Sequence, residues 1–197
     1  MEPLTPESWL GIAAGLALAA AAGFRVFVPL LVLSVAARSG WLPLGPGFEW
    51  IASTQALVVF TTATLLEIAA YYVPFFDNLL DAIATPAAVM AGILASASVM
   101  VDLPPWLRYP VAIIGAGSTA GLVATSTSLL RLKSSTLTAG VGNAFLATFE
   151  LFGAFGVALI AVVVPFVALI VVVGLVAYAI RRLARRSVRS TPRQGTT

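Results

Sequence analysis

From Ser8 to Arg182 the chain is a succession of apolar runs, closed off from one another by proline, glycine or short polar segments. A helix needs about 20 apolar residues to cross a bilayer, and these runs have that length. In hydrocarbon every backbone N–H and C=O must find a partner within the protein, so runs of this kind fold as helices. Composition agrees. The 197 residues are 60% hydrophobic and only 10% charged, against about 25% charge in soluble domains. Mean hydropathy is +1.02. The reading is an all-α membrane protein embedded in a lipid bilayer.

Six transmembrane helices are predicted, roughly 8–37, 53–73, 78–99, 106–131, 138–156 and 157–182. Trp41-Leu42-Pro43-Leu44-Gly45-Pro46-Gly47 cannot continue a helix. Val73-Pro74-Phe75-Phe76-Asp77-Asn78 supplies a proline stop and a polar cap, and Asp102-Leu103-Pro104-Pro105 a further break. Arg131-Leu132-Lys133-Ser134-Ser135 reads as a short basic turn, and Gly153 and Gly156 mark the last boundary. Trp9, Trp41, Trp50 and Trp106 fall at predicted interfaces. The positive-inside rule then puts both termini in the cytoplasm, because six arginines crowd the stretch from Arg181 to Arg193. Residues 187–197 read as a disordered basic tail that meets anionic lipid, not nucleic acid.

Within the apolar runs two carboxylates stand alone. Leu65-Leu66-Glu67-Ile68-Ala69-Ala70 lines up with Thr148-Phe149-Glu150-Leu151-Phe152-Gly153. A charge in hydrocarbon costs about 3 kcal/mol or more, so two at matching places suggest a duplicated plan. Glycine-rich interruptions at Ala21-Ala22-Gly23-Phe24-Arg25 and at Gly115 to Gly121 add to the match. The expected fold is therefore two inverted three-helix repeats, about 8–99 and 106–182, with interrupted first helices in a single domain spanning 1–186. Glu67 and Glu150 would then lie at mirrored depths on either side of the midplane.

The candidate pathway residues follow from this plan. Arg25 lies too deep in its run to reach water easily, and needs either an anionic partner or a wet cavity. Asp77, Asn78 and Asp81 open the third span with more acid than capping requires. Ser118 and Thr119 begin a hydroxyl-rich stretch that either lines a path or bonds back to its own helix. Asn143 precedes Glu150 by about two turns on one face. Gly11-x-x-x-Gly15 and Gly117-x-x-x-Gly121 mark close helix packing and would allow a homodimer.

Without His or Cys there are no disulfides, thiolate nucleophiles, His-ligated metals or His-based triads. No cofactor or metal is expected. With no nucleophile–base pair in the sequence, an enzyme is not expected either. The expected function is movement of a small solute or ion through a midplane polar site. The alternative is a non-transporting membrane scaffold or assembly factor. A carboxylate in such surroundings can exchange a proton, which leaves proton coupling open.

Gly23-Phe24-Arg25-Val26-Phe27-Val28-Pro29, Glu67, the run from Tyr71 to Asp81, Thr85-Pro86, and Gly140-Val141-Gly142-Asn143 through Glu150 resemble a bacterial membrane family known as domain of unknown function 4126. Many of its members carry Asp-Lys where this chain has Tyr71-Tyr72. The resemblance implies a multi-pass protein of the bacterial inner membrane and no activity. A looser likeness of plan connects it to small exporters of the lysine-exporter type.

Overall fold

The computed structural model describes residues 4–72, 74–138, 141–174 and 177, giving only the backbone course for 74–82, 138 and 141. Among these, the chain is helical with no strand. The helices are α1 (Pro6–Phe24), α2 (Phe27–Arg38), α3 (Thr54–Tyr71), α4 (Pro74–Val99), α5 (Pro105–Pro110), α6 (Gly117–Thr138) and α7 (Val141–Val163). The last described helix is α8 (Pro165–Gly174). A π-helical stretch, Val111–Ala116, joins α5 to α6. Four helices are long and apolar enough to cross a membrane: Pro6–Phe24, Thr54–Tyr71, Pro105–Leu137 and Gly142–Val163.

Residues 8–37, expected to form one interrupted span, form a hairpin instead. Thr5 caps α1, and Ser8 donates to the Asp102 carbonyl at 3.5 Å. Gly11 and Gly15 lie against Val99, Ser96 and Met100, and Gly92 against Ala19, so α1 runs antiparallel to α4 from that end inward. After Phe24 the backbone of Arg25 is extended (φ −147, ψ 125), and α2 starts back. By Gly45 the chain has returned to where α1 began, since the Gly45 amide bonds the Ser98 carbonyl at 2.8 Å. We call this the near end; Tyr72 and the last turn of α6 mark the far end. The hairpin enters and leaves on one side, with Arg25 and Val26 at its inner tip.

The hairpin alters the topology. The first element of the first half turns back on itself, whereas α5, the π stretch and α6 form one continuous rod, so the first elements of the two halves differ in course. Pro110 explains the rod's irregularity: it lacks an N–H and its ring displaces the preceding turn, which widening to a π pattern absorbs. The amino-terminal end of the described bundle lies opposite the end that carries Lys133.

Two boundaries also move. The 131–135 segment is helical, because nothing in it breaks a helix before Gly140, and α6 continues to Thr138. The break expected at Gly156 falls at Val164 and Pro165, because α7 continues through both glycines and proline is the stronger stop. The basic tail and the end of the predicted sixth span lie outside the described residues.

Small residues set the core. Ala13, Ala17, Ala20 and Ala21 of α1 are almost fully buried and allow α4, α6 and α7 to close around it. Gly117 and Gly121 meet Ile93 and Val89 of α4. Both GxxxG faces are thus used inside the bundle.

Candidate functional site

A hairpin tip inside a membrane protein exposes the first amides of its returning helix, and water cannot satisfy them. Here Glu67 does so from α3. Its Oε1 accepts from the Val26 amide at 2.8 Å and its Oε2 from the Phe27 amide at 3.1 Å. The carboxylate also sits at the positive end of the α2 dipole, which favours its charge.

Arg25 leaves the tip in the other direction. Only 1% exposed, it donates through Nη2 to the Ala147 carbonyl of α7 at 2.8 Å and lies 4.0 Å from Glu150 Oε2. Arg131, from α6, binds the same carboxylate through Nε at 3.1 Å and through Nη2, a bidentate pair that is also buried. Tyr71 completes the group. The guanidinium carbons of Arg25 and Arg131 are each 3.9 Å from its ring centroid, a cation–π contact for both. Five buried side chains, Arg25, Glu67, Tyr71, Arg131 and Glu150, thus gather around one hairpin tip.

The two carboxylates share a depth instead of mirroring one another. Thr54 to Glu67 and Glu150 to Val163 span thirteen residues each, placing both about 20 Å from the near end. Extension of α7 past Gly156 and return of α2 to the near end together produce this level. Beside the cluster is a cleft of about 10 Å³, bordered by Gly23, Tyr71, Ser128, Arg131 and Glu150. That is room for about one water molecule. Arg25 Nε and Nη1 are buried with no hydrogen-bond partner among the described residues.

Of the nine residues singled out from the sequence, Arg25, Glu67 and Glu150 meet here. Asn143 is buried and donates to Ser135 at 2.8 Å, pinning the end of α6 to the start of α7. Ser118 is exposed, and Thr119 bonds back to the Gly115 carbonyl at 2.8 Å, so the hydroxyl stretch there serves its own helix. Further along, Thr127 and Ser128 do border the cleft. The side chains of Asp77, Asn78 and Asp81 lie outside the described residues.

Sequence reasoning missed Arg131, Tyr71 and Arg108. Arg131 looked like part of a polar turn, yet its spacing from Ala124, Thr127 and Ser128 puts it on one helix face with them. Tyr71 lies one turn beyond Glu67 on the same face. Arg108 is buried at the near end, where its Nη2 donates to the Val101 and Leu103 carbonyls at 3.0 and 3.1 Å and staples the turn. Nothing local in the sequence marks that staple.

A helical, membrane-type bundle closing around buried charge defines the class of protein. Within that class, the family profile for a domain of unknown function (DUF4126) matches residues 12–185, and the chain belongs to this family. Neither the curated proteins nor the solved structures contain a significant match.

Proposed function

We propose that this protein moves a small solute or ion across the bacterial inner membrane, using the charge cluster at the hairpin tip as its polar site. The observation that carries this reading is the hairpin itself. Non-helical backbone at membrane depth is tolerated where protein buries it or a cavity reaches it, and helix ends of this kind are used by transporters to hold charged groups. Arg25, Glu67, Arg131 and Glu150 would take part directly, with the Tyr71 ring in contact with both guanidinium groups. Asp77, Asn78 and Asp81 remain candidate path residues. The reading does not depend on an inverted repeat.

One observation favours a scaffold instead. The bidentate Arg131–Glu150 pair and the one-water cleft describe a closed cluster, which would also serve to fix helix register. Gradient decay in proteoliposomes separates the two readings. With imposed H⁺, Na⁺ or Cl⁻ gradients, transport speeds the decay of at least one over protein-free vesicles, and Glu67→Gln and Glu150→Gln abolish the acceleration. No acceleration for any gradient, or acceleration indifferent to both substitutions, counts against the cluster as a transport site.

A further inference from the structure

The hairpin is tied to α3 at two levels. At the near end, Arg38 bonds the Thr54 hydroxyl at 3.0 Å in an exposed position. At the tip, Glu67 holds the Val26 and Phe27 amides. Between these, Thr64 faces inward one turn before Glu67, but its buried hydroxyl has no hydrogen-bond partner among the described residues. The outer face of α3 is bare, with Val58, Val59, Leu65 and Leu66 each more than half exposed. Among the described residues, α3 meets the hairpin tip through the Arg25–Tyr71 contact and through the hydrogen bonds of one carboxylate, Glu67.

The hydrogen-bonded part of that grip is strongest with Glu67 ionised. Each oxygen accepts one N–H, and a hydrogen bond to an ionised carboxylate is about twice as strong as one to a neutral acceptor. A proton taken up from water, on a lone pair that neither amide uses, turns one oxygen into a hydroxyl, a poorer acceptor, and removes the charge assistance from both bonds. The charged and titratable groups around it are Arg25 on the hairpin, Tyr71 on α3, Arg131 on α6 and Glu150 on α7. On α4 the side chains of the first two turns lie outside the described residues.

We propose that Glu67 is a proton-operated latch on the re-entrant hairpin. Ionised, it clamps the tip to α3 while Arg25 clamps the tip to α7. Protonated, it loosens the hydrogen-bonded tie to α3 with Arg25–Val26 as the hinge, while the contacts of Arg25 with Tyr71 and with α7 remain. The latch is independent of whether the protein transports anything.

Hydrogen exchange of the intact protein in nanodiscs, read by mass spectrometry over the peptide containing residues 24–28, tests it. At neutral pH the Val26 and Phe27 amides are protected. Glu67→Gln, which keeps one acceptor oxygen, lowers their protection by about tenfold, and Glu67→Asp, which keeps both, retains most of it. Wild-type protein taken from pH 8 to pH 5, corrected for intrinsic exchange, shows the same loss without any substitution. A corrected protection that stays flat across this range overturns the latch, as does full protection in a folded Glu67→Gln protein. If Glu67→Gln does not fold, the wild-type pH series decides alone.

Discussion

Glu150 holds two arginines, and its loss would leave both without their shared counter-charge inside the bundle. Breaking a buried pair by removing one partner costs about 3–5 kcal/mol, more than the net worth of the pair, because the remaining charge is stranded. Glu150→Gln is therefore expected to lower the thermal unfolding temperature in detergent markedly, and Glu150→Gln with Arg131→Met to recover part of the loss. Glycines give a cleaner contrast. A Cβ at Gly23 would sit 2.5 Å from Val123 Cβ and 2.7 Å from the Ala120 carbonyl, whereas at Gly153 nothing lies within 4 Å. Gly23→Ala should destabilise by about 1–3 kcal/mol through overpacking. Gly153→Ala should be neutral or gain up to about 1 kcal/mol from reduced chain entropy. Unfolding curves of the two variants side by side check this.

At the level of elements, the apolar runs correctly located α3 and α4, and the start of α7, to within a few residues. Those helices end at proline or polar segments whose chemistry is local. What hydropathy could not register is direction. Residues 8–37 look like one long span because both arms of the hairpin are apolar, and only contacts far along the chain, Ser8 to Asp102 and Gly45 to Ser98, reveal that the chain turns back. The site was half legible for a related reason. Arg25, Glu67 and Glu150 stand out because charge in hydrocarbon is costly wherever it points. Arg131 and Tyr71 become meaningful only once packing puts them on the same tip. Pro165 was overlooked because valines surround it, although its missing N–H makes it a stronger stop than Gly156. Pro165→Ala should straighten the α7–α8 junction, and a spin-label pair at Leu159 and Ile170 should report a longer separation than in the parent.

In the molecule as a whole, α1, α4, α6 and α7 form a bundle, and the α1–α2 hairpin reaches its buried charge from one side. The site follows from that topology: the helix-end amides at the tip, the carboxylate that satisfies them, and the common depth of Glu67 and Glu150. The natural chain has no cysteine, so single cysteines introduced at Thr5, Ser39 and Lys133 are unique reporters at exposed positions. Labelling with a membrane-impermeant maleimide, on intact cells and on inverted vesicles, reads their sidedness. Thr5→Cys and Ser39→Cys are expected to react from the same side and Lys133→Cys from the other. Reaction of Thr5→Cys and Ser39→Cys from opposite sides would make residues 8–37 a single span and contradict the hairpin on which the site is built.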